Sequence, residues 1–149
     1  MGVGLPGESR LFVTNVWARG LTPIVEQHMP AIRHADIPVE PFRGGSTYQT
    51  VVGDAAGTTP VFIGIQTAPP GYRSALHSHP YMEIITVLEG EGEAWLADTD
   101  GIVALKPGMT LVMPAGMKHW FAATGTTPLR IMGVHAAPRR TVDVHAETP

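Results

Sequence analysis

From residue 46 onward the apolar positions fall in short runs rather than at helical spacing. Thr47 to Val52 is a β-branched and aromatic run that ends at Gly53-Asp54. Val61 to Thr67 follows and stops at the turn Pro69-Pro70-Gly71. Ser74 to His79 is broken at Pro80, and Met82 to Leu88 is closed by Glu89-Gly90. Gly92 to Ala97 leads into the hairpin turn Asp98-Thr99-Asp100-Gly101. Ile102 to Leu105, Thr110 to Met113, His119 to Ala123 and Leu129 to His135 supply four more strands. Turn signals at roughly 8–12-residue spacing predict an all-β antiparallel sandwich or barrel over residues 46–136. Residues 1–45 carry less pattern. Leu11 to Trp17 reads as a short strand, and Pro23 and Pro30 confine the helical spacing of Ile24 to Arg33 to a turn or two. This stretch is expected to be an N-terminal arm that packs on the barrel or on a second subunit. Residues 137–149 are polar and proline-flanked, and are expected to form a loose tail.

Composition narrows the function classes. The 149 residues suit one domain, and 44% apolar content gives it a core. Absence of cysteine excludes disulfides, thiolate nucleophiles and Cys-based metal sites. With 10 basic and 13 acidic residues, the chain lacks the positive footprint that nucleic acid or an anionic membrane requires. No run of about 18 apolar residues is present, and the N-terminus has no signal-peptide pattern. A cytoplasmic location is expected on that basis. No G-x-S-x-G elbow, Walker A segment or strand-to-helix G-x-G-x-x-G occurs.

The seven histidines are where chemistry concentrates. His77 and His79 sit at i and i+2 of a strand, so both imidazoles leave one face. Alone, such a pair reads equally as core or solvated histidines. Glu83 changes that. It lies inside Met82 to Leu88 and shares a face with Ile85 and Val87, where an unpaired carboxylate is costly to bury. A divalent cation would compensate the charge. His119, thirty-six residues later, can join them if the barrel closes. Three imidazoles and one carboxylate suit one divalent transition metal, with Fe, Mn, Ni, Co, Cu and Zn all compatible. On a metal that prefers six ligands, two positions stay open, as a catalytic ion requires.

Those residues stand in a recognisable frame. Gly71-x5-His77-x-His79-x3-Glu83-x6-Gly90 resembles the first signature of the cupin superfamily, and Gly108-x5-Pro114-x-Gly116-x2-His119 resembles the second. Seventeen residues separate the two, like the short spacing of small bacterial cupins. The resemblance covers about Gly64 to His135. One departure is Ala123, where the family often has Asn. The resemblance implies a jelly-roll β-barrel with a single metal held by His77, His79, Glu83 and His119. It also implies a homodimer formed by exchange of the N-terminal arm.

Other residues are candidates for the surroundings. Tyr81 and Trp120 flank proposed ligands and are expected to line a substrate pocket, with Gln49 and Tyr48 contributing from an earlier strand. Glu83 is a candidate proton shuttle if it detaches from the metal, and His135 is a candidate acid/base, otherwise a strand-end histidine. His28, His34, His145 and the pair Arg139-Arg140 read as surface residues. The donor set predicts a metal-dependent dioxygenase acting on a small oxygenated organic molecule. A metal-dependent isomerase, lyase or cyclase that needs no O2 uses the same ligands, and a non-catalytic ligand-binding barrel is the third reading.

Overall fold

The computed structural model describes residues 31–99 and 101–146. The strand Leu11 to Trp17, the turn at Ile24, His28 and most of the expected arm lie outside the described residues. Among the described residues eleven strands are formed: β1 (Glu40–Pro41), β2 (Thr47–Val52), β3 (Phe62–Ala68), β4 (His77–Ser78), β5 (Glu83–Glu89), β6 (Gly92–Leu96), β7 (Ile102–Leu105), β8 (Thr110–Met113), β9 (His119–Ala123), β10 (Leu129–His135) and β11 (Asp143–Val144). Two antiparallel sheets result, in the orders β1-β2-β3-β10-β5-β8 and β11-β4-β9-β6-β7. From β3 onward the chain repeatedly crosses from one sheet to the other, which is the winding of a jelly-roll barrel. The all-β expectation holds, and four predicted strands, β7 to β10, have the expected limits.

The side-chain period of two fixes what faces inward. On β5, Glu83, Ile85 and Val87 are buried while Ile84, Thr86 and Leu88 are half-buried. The same alternation on β9 and β10 turns Phe121, Leu129 and Ile131 into the core with Leu105 and Met113. Burying each such side chain contributes about 1.5–3 kcal/mol. The glutamate therefore enters the barrel because its strand cannot bury Ile85 and Val87 without also turning Glu83 inward.

Register places the histidines. His77 on β4 is directly opposite His119 on β9, and Glu83 on β5 is directly opposite His135 on β10. One pair comes from each sheet.

Among the described residues, the segment before Ser46 packs on the barrel sheet, since Glu40 and Pro41 of β1 pair with Tyr48 and Thr47. The segment after Ala136 is tied down rather than loose. Asp143 and Val144 pair with Ser78 and His77, and the His145 amide donates to the Leu76 carbonyl. Arg139 donates to the carbonyls of Ala55 and Ala56, and Arg140 stacks on Phe42, so neither is a free surface cation. His145 meets Ser78 Oγ at 2.8 Å. Polar composition misled here because these bonds are made mostly by backbone groups, which carry no sequence signature.

Gly90, which closes β5, has φ +78°, and a Cβ there would press on the Pro128 carbonyl and lie 2.9 Å from Leu129 Cα. Gly108 has a similar φ of +86° with open space around it. Gly90→Ala should therefore lose about 2 kcal/mol or more, and Gly108→Ala only the backbone strain of about 1 kcal/mol. Urea midpoints of the two variants check this; equal losses would refute the close-approach argument.

Candidate metal centre

Four side chains converge at one end of the barrel. One donor atom from each of His77, His79, Glu83 and His119 lies within 4.8 Å of the others, and all four residues are buried. Each of the three imidazoles has its Nδ1 turned to a main-chain carbonyl: Ala75 at 2.8 Å for His77, Met117 at 2.9 Å for His119, and Thr141 for His79. A carbonyl only accepts, so Nδ1 must carry the proton and donate it. In the neutral ring, Nε2 is then left with its lone pair.

Those lone pairs face another acceptor. His119 Nε2 is 3.0 Å and His79 Nε2 3.1 Å from the same oxygen, Glu83 Oε2. All three atoms are buried and lack a satisfactory hydrogen bond. Neutral rings have no proton to give at that point, so the arrangement is acceptor against acceptor around a shared space. Only a cation relieves it, either a proton or a metal ion. The donor set of three imidazole nitrogens and one carboxylate oxygen fits a divalent transition metal.

Electrostatics agree with that reading. Burial opposes the charged form of Glu83, but protons on the facing His119 and His79 nitrogens, which then donate to it, together with charge on His135, outweigh burial and hold the carboxyl well below the usual carboxylate range, the same compensation a metal ion would give. Burial pushes His77 down to about 4, so its ring is neutral and ready to ligate at physiological pH. Burial also opposes protonation of His79, yet the adjacent Glu83 carboxylate and the Thr141 carbonyl raise its pKa above the ordinary value.

His135 stands beside the four without joining them. Its Nε2 is 3.6 Å from Glu83 Oε1, its Nδ1 is buried without a partner, and burial holds its pKa down to about 4. It lines a cavity of about 180 Å³ that opens next to His77 and Glu83. Tyr48 lines the same cavity. Three other expected pocket residues do not. Trp120 neighbours the inward His119 on β9, so alternation turns it outward, where the Arg73 guanidinium lies 4.4 Å from its ring. Gln49 takes the opposite face from Tyr48, and its amide donates to the carbonyls of His34 and Ile37. Tyr81 stacks on the His79 ring at 5.4 Å, while its hydroxyl donates to the Thr141 carbonyl and accepts from the Thr141 amide. It braces a candidate ligand instead of meeting a substrate.

Sequence reasoning missed Arg140, Thr141 and Val142. The first and last line the cavity, and Thr141 orients His79. Period-two reasoning could have rejected Trp120 and separated Tyr48 from Gln49. No pattern marks the C-terminal residues, whose role depends on where the chain returns.

Comparison with known proteins gives the same picture. The family described as "Cupin domain" matches residues 64–135. Protein SchB of Streptomyces halstedii is 31% identical over 116 residues, covering 77% of this chain and 82% of that protein. Auxin-binding protein 1 of Arabidopsis thaliana is 30% identical over 120 residues, 74% of this chain but only 61% of that protein. Among solved structures, the polyketide cyclase RemF from Streptomyces resistomycificus superposes with a TM-score of 0.69 at 21% identity, covering 80% and 87% of the two chains. A predicted oxalate decarboxylase from Thermotoga maritima gives 0.63 at 23%, covering 72% and 99%. The glycine-framed segments that bring His77, His79, Glu83 and His119 together are thus the two motifs of a cupin barrel, and this chain belongs to the cupin family.

Proposed function

We propose that this chain is a mononuclear metal-dependent enzyme that acts on a small oxygenated organic molecule by proton transfer, without O2, as an isomerase, lyase or cyclase does. The observation that carries the metal is the pair of buried Nε2 lone pairs aimed at Glu83 Oε2. A divalent ion bound there would act as a Lewis acid on a substrate oxygen and lower the energy of an adjacent enolate.

The chain's own residues support the non-oxidative choice. His135 is neutral at physiological pH and buried in the wall beside Glu83. Its Nε2 lies 3.6 Å from Glu83 Oε1 and its ring lines the cavity, which suits a neutral imidazole that takes and returns a proton there. Glu83 suits that task poorly, because its carboxyl stays ionised well below neutral pH. Ile85, Phe121 and Ile131 line the same cavity and limit water around the reacting atoms. The likeness to the polyketide cyclase RemF supports the same choice. Dioxygenation is the second reading, favoured by a donor set that leaves adjacent positions on a six-coordinate metal. Product formed from enolisable diketones or hydroxy-ketones by zinc-loaded protein under strict anaerobiosis is the expected result. Oxygen consumption by iron-loaded protein, with no anaerobic turnover, would transfer the function to the second reading. In the same assay His135→Asn should lose about 100-fold or more in rate while keeping its metal.

Metal content tests the premise directly. His77→Ala and His119→Ala should lose most bound metal by elemental analysis and melt lower than the loaded wild type. Equal stoichiometry in all three proteins would contradict the assignment.

Acid should release the ion. The raised pKa of His79 means its contribution to metal-free stability is present below the ordinary 6.5 and fades as pH rises through the folded value. Metal binding needs that ring unprotonated, so protons compete with the ion. Affinity should fall by at least about tenfold per pH unit as pH drops below 6.5. Competition with a chromogenic chelator between pH 8 and 5.5 measures it, and a flat profile would count against His79 as a ligand.

A further inference from the structure

The charge around the cavity is lopsided. Arg43 and Arg140 line it, while Glu83 is the one carboxylate among the described lining residues. Glu83 is already committed to the imidazole cluster.

Arg140 is held in place from both sides. Its neighbour Arg139 is bonded to the Ala55 and Ala56 carbonyls, and Thr141 is bonded to Tyr81 and His79. The Arg140 guanidinium lies over the rings of Phe42 and Tyr48, 4.9 and 5.7 Å from their centroids. It pairs with no carboxylate among the described residues. A guanidinium stacked on aromatic faces keeps its edge donors for a ligand.

Tyr48 supplies a second donor nearby. Its hydroxyl is buried without a hydrogen-bond partner and lies over Gly64, where a Cβ would overlap it. Gly133 is the cross-strand partner of Gly64, and a Cβ there would sit 3.7 Å from both Glu83 Oε1 and His135 Nε2. Two facing glycines thus clear one stretch of wall on which the phenol, the carboxylate and the imidazole stand close together. Burial raises the phenol to about 12, so it keeps its proton.

We propose that Arg140 and Tyr48 form an anion subsite, and that the substrate is a short organic dianion bound at two points: one oxygen group at the His77, His79, Glu83 and His119 cluster, the other at this subsite. This deepens the proposed function and rests on it. Charge excess supplies the anion preference, and the unpartnered hydroxyl supplies direction. Cavity size supplies the length limit, since an apolar cavity on the order of 150 Å³ takes one benzene ring. A carboxylate or enolate at each end of a chain of a few carbons satisfies all three.

Isothermal titration of zinc-loaded protein with malonate, succinate and glutarate, each against its monoamide, tests this. At least one dianion should bind about tenfold or more tighter than its monoamide, the margin of a charge-assisted pair. Arg140→Gln should shrink that ratio to within about threefold with metal content unchanged, and Arg140→Lys should restore part of it. Tyr48→Phe should weaken the dianion by several-fold and leave the monoamide unaffected. The proposal is overturned if no dianion is preferred, or if the preference survives in Arg140→Gln. Failure of the wild type to retain zinc would instead overturn the metal reading beneath it, and two-point binding with it.

Discussion

Two imidazole lone pairs and a carboxylate oxygen, all buried, meet around one point with no proton assigned to any of them. An uncompensated buried charge costs several kcal/mol, and facing acceptors repel. Everything else about this end of the barrel is arranged to keep that conflict in place instead of letting it relax. Main-chain carbonyls of Ala75, Met117 and Thr141 hold the three rings in one tautomer. The inward face of β5 denies Glu83 an exit to solvent, because Ile85 and Val87 occupy the same side. The cluster is thus preorganised for a positive ion by backbone geometry more than by the ligands themselves.

Register places two cross-strand pairs at this end of the barrel. Antiparallel register sets His77 opposite His119 in one sheet and Glu83 opposite His135 in the other. A slip of one residue in β5 would expel Glu83 and bring Ile84 inward, so the register that builds the core also builds the site. His135 belongs to the second pair yet is not a ligand. It inherits a place beside the reacting centre from the same pairing, which is why a strand-end histidine becomes a candidate for moving protons.

The strands and the four converging residues were legible because both are written in period two and in turn glycines. Leu129 to His135 is apolar enough to be recognised without its neighbours, and Glu83 stood out because the run Met82 to Leu88 is otherwise uncharged. Errors arose where one residue's facing was judged in isolation. Trp120 sits next to an inward histidine and so had to point out, and Tyr48 and Gln49 could not both face the cavity. The C-terminal segment was illegible for a different reason. Its value lies in a carbonyl at Thr141 and in a guanidinium delivered by chain path, and neither leaves a periodic trace.

That segment also orders events in time. The Thr141 carbonyl that fixes the His79 tautomer belongs to a stretch synthesised after every strand of the main barrel. On the ribosome, then, β3 to β10 can close before the last ring is aligned. A closed barrel with that ring unaligned would hold a cation less firmly, so the site is complete only once β11 docks. β11 is only two residues long, and opening it costs few hydrogen bonds. Fraying of β11 would therefore loosen the support of His79 while leaving the hydrophobic interior undisturbed.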